Sequence, residues 1–219
     1  MLDLAALPVF ASGLGLVLFD TGYFVWIVSE LFGAVLVPRL RGRGATRVRR
    51  DRGSGALIIF TVFISIGLAL SFGYAGVVVL PDWVFYPGIF LMLLGVLVRQ
   101  WAIAVLGRFF SLTVRVATDH QVVTRGPYRL IRHPSYTGVL ITFIGLGLAV
   151  QSLGGLLVLL GVFSLSYGYR IRVEEKTLLS ELGQDYASYM KGRNGSYPTS
   201  SSYSVSREIR DAPSVTREG

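Results

Sequence analysis

The sequence predicts an all-α integral membrane protein of five transmembrane helices, the last two a short helical hairpin, with a polar cytoplasmic segment ahead of that hairpin. Three observations carry this. The 219-residue chain is 52% hydrophobic and 16% charged, with mean hydropathy +0.58, whereas soluble domains carry about 25% charged residues. Apolar runs near or above the roughly 20 residues that cross a bilayer recur along it. Its net charge of +8 is one-sided. Arg39, Arg41, Arg43, Arg47, Arg49, Arg50 and Arg52 form one cluster, Arg99 to Arg132 a second and Arg170 to Arg217 a third, while the segments facing the opposite side hold no Lys or Arg. This positive-inside pattern puts the amino terminus outside and the carboxyl terminus in the cytoplasm of a multi-pass cell-membrane protein. It also accounts for the basic balance without a nucleic-acid partner.

Residues 9–37 form the first apolar run, longer than a bilayer core, so a tilt or bend is expected near Asp20–Gly22. The first residues lack a basic region and a small-residue cleavage site, and no removable signal peptide is predicted. A second span covers 56–79 and ends at Pro81-Asp82-Trp83, a turn with an interfacial tryptophan. The third covers 84–106, and a polar, Arg-bearing segment follows over 107–136. Residues 137–151 and 154–170, each about 22–26 Å long as a helix, make the hairpin around Ser152-Leu153-Gly154-Gly155. Past Arg170 an amphipathic helix continues inward, and from Asn194 the Ser/Thr/Gly-rich composition predicts a disordered tail. The chain thus divides into 1–106, 107–193 and 194–219.

The absence of cysteine excludes disulfides, thiolate catalysis and Cys-based metal sites. The two histidines, His120 and His133, lack the spacing of a zinc pair, so no metal site is expected. The strongest local signal is Gly126-Pro127-Tyr128-Arg129-Leu130-Ile131-Arg132-His133-Pro134-Ser135-Tyr136-Thr137-Gly138. Gly-Pro and His-Pro punctuate the backbone, which predicts side chains held on a turn. Arg, His and Tyr beside a membrane helix mark either a functional cluster or a headgroup anchor. Arg170 and Glu174 share a helix face, as a simple ion pair or as a fork for a carboxylate beside an anion for an ammonium. Gly145-Leu146-Gly147 either contacts a cofactor or permits close helix packing. Arg99 either borders the site or snorkels to the interface. Glu30, the lone carboxylate deep in the first span, is expected to pair between helices rather than to take part in chemistry.

Leu106-Gly107, then Val122-Val123-Thr124-Arg125-Gly126-Pro127-Tyr128, Arg132-His133-Pro134-Ser135-Tyr136-Thr137-Gly138, Glu174-Glu175 and Leu182-Gly183-Gln184-Asp185-Tyr186-Ala187-Ser188-Tyr189 resemble, in order and spacing, the isoprenylcysteine carboxyl methyltransferases. Small phospholipid N-methyltransferases are similar. The resemblance spans 107–193 and makes this a cofactor-binding segment for S-adenosylmethionine. It implies cofactor contacts at His120, Gln121, Val122, Val123, Tyr128, His133, Pro134, Ser135 and Tyr136, with Glu174 at the methionyl end. It puts Arg170 at the substrate, and Arg193 is a candidate second substrate cation. The implied substrate is a lipid-like or prenylated molecule entering from the bilayer, such as a prenylcysteine carboxylate becoming a methyl ester. After Tyr189 the family's Arg-Val-Pro is replaced by Lys191-Gly192-Arg193-Asn194, so the motif leaves carboxylate, amine and thiol acceptors open. Were the acceptor an amine or thiol, His133 or Tyr128 would be the first candidate base. The rivals are an NADPH-dependent membrane reductase with the same Arg-His-Pro-x-Tyr turn, and a non-enzymatic membrane interaction protein.

Overall fold

A computed structural model describes residues 8–33, 46–49, 53–111, 114–117 and 121–191. Among them, four helices are long and apolar enough to cross a membrane. These are α1 (Gly13–Leu31), α2 (Ser54–Tyr74), α3 (Phe85–Leu106) and α5 (Leu153–Leu182). Between the last two lies α4 (Pro134–Ala149), apolar but only 16 residues long, about 24 Å. A short α6 (Gln184–Lys191) follows α5.

The first run stays helical through Asp20–Gly22 rather than breaking there, and a 3-10 turn at Val9–Ala11 precedes α1. Gly22 instead lets α1 approach α3, since a Cβ there would lie 2.7 Å from the Met92 methyl. The hairpin is unequal rather than short on both sides. Its second arm and the following amphipathic helix are a single 30-residue rod. The chain is also not purely helical, because β1 (Thr46–Arg49) pairs antiparallel with β2 (Arg115–Ala117). That ribbon ties the Arg-rich loop to the polar segment before α4. The rest of the Arg-rich loop and the proposed tail lie outside the described residues.

The central contact is α3 against α4. Buried positions on α3 recur as Gly88, Met92, Gly95, Arg99 and Ala102, and on α4 as Gly138, Thr142, Gly145 and Ala149. Small residues let the two backbones nearly touch, the usual basis of helix association in lipid. A Cβ on Gly95 would sit 2.5 Å from the Thr142 nitrogen, and one on Gly145 would sit 2.3 Å from the Met92 nitrogen. Gly147 packs likewise on Leu156 of α5, so both glycines of Gly145-Leu146-Gly147 serve helix packing. On the far side α2 packs on α5 through Gly155 and Ala69, and Thr61 and Ser166 share a 3.0 Å hydroxyl contact.

One end of the bundle is closed by Gln151, a buried non-glycine residue at φ 55°. Its side chain accepts from the Val9 N–H at 2.9 Å and donates to Asp82 at 2.8 Å. Its carbonyl accepts from the Leu80 N–H. These bonds hold a left-handed conformation that would otherwise cost energy. The motif residues gather at the other end.

Candidate active site

Three stretches converge there: the 3-10 turn Gly126–Arg129, the first turn of α4, and the middle of α5. Pro134 occupies the first position of α4, where a missing N–H costs nothing. Ser135 and Tyr136 therefore stand on a helix rather than on the expected turn. The three stretches, with parts of α2, α3 and α6, enclose a cavity of about 150 Å³. Ile58, Ile59, Leu106, Phe110, Val114 and Leu178 make its apolar wall.

At its polar wall the Tyr136 hydroxyl donates to Glu174 at 2.5 Å and accepts from Arg170 Nε at 3.3 Å. Arg170 is 3% exposed, and its Nη2 also donates to the Ser111 carbonyl at 3.5 Å. The helical spacing thus does more than form a surface ion pair, because a tyrosine from another helix bridges the two charges. Stacked on Tyr136 at 5.5 Å is His133, whose Nε2 lies 3.0 Å from Glu175. A carboxylate only accepts, so Nε2 carries the proton. Glu175 also meets Arg132 at 3.5 Å, and Arg132 reaches the Met190 carbonyl at 3.3 Å. Tyr189 donates to the Tyr128 carbonyl at 2.9 Å. These two bonds fasten α6 over the turn before α4.

Burial first, then the nearby Glu174 carboxylate, raises the Tyr128 phenol well above its usual value. The same two causes, joined by Glu175, act on Tyr186. Both phenols stay protonated at neutral pH. Tyr128 is therefore not suited to act as a general base at neutral pH.

Of the predicted site residues, Val122, Val123, Tyr128, His133, Ser135, Tyr136, Arg170 and Glu174 line the cavity. Gln121 is exposed and Pro134 is buried as a helix start; neither lines it. His120 and Arg193 lie outside the described residues. Sequence reasoning missed Glu175 as the partner of His133, Tyr167 as a cavity wall packed on Tyr136, and the part played by Arg99. The doubled acid Glu174-Glu175 was the available signal, since adjacent helix positions diverge toward two neighbours. Arg99 does not snorkel. It is buried, pairs with Glu30, lines the cavity and donates to Ser135 Oγ at 3.0 Å.

Residues 88–180, which hold α3, α4 and most of α5, match the model of the isoprenylcysteine carboxyl methyltransferase (ICMT) family. Over these residues the chain is similar to that family. A probable protein-S-isoprenylcysteine O-methyltransferase of Oryza sativa is 31% identical over 119 residues, 52% of this chain and 60% of the rice protein. The cobalt-zinc-cadmium resistance protein CzcN of Cupriavidus metallidurans is 34% identical over 47% of each chain. A solved structure of the eukaryotic intramembrane Ras methyltransferase ICMT is 26% identical, with a TM-score of 0.47 over 66% of this chain and 52% of that one. The chain spans about half to three-fifths of the length of these relatives. Four helices among the described residues are long and apolar enough to cross a membrane, and together with the likeness to this family they support an integral membrane protein.

Proposed function

We propose that the chain is an S-adenosylmethionine-dependent methyltransferase that methylates the carboxylate of an amphipathic, prenylcysteine-like substrate delivered from the bilayer. The observation that carries this is the Arg170–Tyr136–Glu174 bridge on the wall of a cavity that is otherwise aromatic and apolar. The fit to the cofactor rests on the donor set. Glu174 supplies an anion for an ammonium, and the faces of Tyr128, Tyr136 and Tyr186 suit a sulfonium or an adenine. When bound, the cofactor supplies an activated methyl group, and the protein's work is alignment and exclusion of water. Arg170 orients the acceptor carboxylate, one helical turn from Glu174. An ionised carboxylate needs no base, in keeping with a protonated Tyr128. In the proposed orientation the site faces the cytoplasm, with the amino terminus outside. Arg193 is a further candidate for substrate binding.

Cofactor titration of the detergent-purified chain tests this. S-adenosylmethionine and S-adenosylhomocysteine should bind, and tritiated methyl should pass to a farnesylcysteine carboxylate as a base-labile ester. Binding of NADPH in place of both would overturn the reading and favour the reductase.

A further inference from the structure

Glu30 stands on α1, outside the residues matched by the ICMT family, yet it reaches the cavity through one intermediary. Its carboxylate forms an ion pair with Arg99 of α3, and Arg99 Nη2 donates to Glu30 Oε2 at 2.7 Å. The other arm of the same guanidinium, Nη1, donates to Ser135 Oγ at 3.0 Å and to the Ser135 carbonyl at 3.4 Å. Gly138 makes this reach possible, since a Cβ there would lie 2.7 Å from the Arg99 backbone nitrogen. The Arg99 side chain is 8% exposed and that of Glu30 26%. Both belong to helices apolar enough to span the membrane, where an unpaired charge is costly.

Charge decides what this pair is for. Arg99 itself lines the cavity. S-adenosylmethionine carries a sulfonium, an ammonium and a carboxylate, a net single positive charge, whereas S-adenosylhomocysteine lacks the sulfonium and is net neutral. A cation left unbalanced in a weakly screened wall would repel the first ligand and spare the second. We propose that Glu30 is a positioning residue of the site: it holds Arg99 against Ser135 and cancels its charge, so that the cavity accepts a cationic cofactor. Arg99 then acts as a double hydrogen-bond donor that sets the first turn of α4. Tyr136, the next residue, inherits that placement.

This inference rests on the methyl-transfer reading, and its test separates the two. Affinities of both ligands are measured by calorimetry on the full purified chain for wild type, Glu30→Gln, Arg99→Gln and the double variant. Glu30→Gln should weaken S-adenosylmethionine about tenfold relative to S-adenosylhomocysteine, the sign expected of an unbalanced cation. Arg99→Gln, which leaves an unbalanced anion, should shift the ratio the other way. The double variant should return the ratio to within about twofold of wild type. Should Glu30→Gln fail to fold, Arg99→Gln and the double variant carry the test. An equal loss of both ligands in each single variant would mark a merely structural pair and overturn the proposal. Failure of wild type to bind either ligand would overturn the methyl-transfer reading itself.

Discussion

Replacing Gly95 by alanine should loosen the site without touching it. The added Cβ would fall 2.3 Å from Thr142 Oγ1, 2.5 Å from the Thr142 nitrogen and 2.6 Å from the Gly138 oxygen, where 3.4–4 Å is ordinary contact. Two of those three atoms are backbone and cannot rotate aside. The helices must therefore part by about 1 Å, and overpacking of this kind costs about 1–3 kcal/mol. We take the upper end, because the neighbour is rigid. Alanine recovers about 1 kcal/mol of helix propensity, leaving a net loss of about 2 kcal/mol. Gly161→Ala on α5 is the matched control, since nothing lies within 4 Å of its added Cβ. It should gain about 1 kcal/mol. A separation of about 3 kcal/mol corresponds to roughly 6–12 °C in melting temperature for a chain of this size. Thermal unfolding of both variants in one detergent measures it. Gly95→Ala melting level with or above Gly161→Ala would refute the close-contact argument.

Glu174→Ala should abolish measurable binding of S-adenosylmethionine, whereas Arg170→Ala should keep cofactor binding and lose methyl transfer; equal weakening of the cofactor in both would defeat the division of roles between them. Tyr189→Phe removes one hydrogen bond to the Tyr128 carbonyl and should cost about 0.5–1.5 kcal/mol, seen as faster proteolysis within α6. The raised phenols of Tyr128 and Tyr186 make the folded state hold protons that the unfolded state releases above about pH 10. The stability their neutral form supports is thus fully present below that pH and is lost as pH rises toward the folded values. Melting temperature should fall between about pH 9.5 and 11 in wild type and fall less steeply in Tyr128→Phe.

Four of the five expected spans were legible among the described residues, because lipid imposes a length and an apolar composition that a one-dimensional reading can see, whereas Pro134–Ala149 is a shorter apolar helix. Glu30 was read as a helix-pairing carboxylate for the same reason, since a lone charge in a span must find a partner. The cluster of Tyr128, His133, Ser135, Tyr136, Arg170 and Glu174 was legible from motif spacing. What escaped was pairing across long separations. Nothing local joins Thr46–Arg49 to Arg115–Ala117, and nothing about Tyr136 shows that it bridges two residues on another helix. Gln121 and Pro134 were among the implied cofactor contacts yet sit outside the cavity wall, because a contiguous stretch mixes residues that face a ligand with residues that shape the backbone.

Arg170 and Glu174 sit midway along α5, a rod with no joint between its start beside the Gln151 turn and its end at Gly183. A rigid rod acts as a depth gauge. Four residues separate the two charges, about 6 Å along the axis, and both keep a fixed height above the Gly155–Ala69 contact that seats the rod among its neighbours. A substrate floating in the bilayer has its own preferred height, set by the acyl thickness of the lipid. Turnover should then pass through an optimum as lipid chain length is varied, with losses on both sides where the acceptor rides too shallow or too deep to meet Arg170.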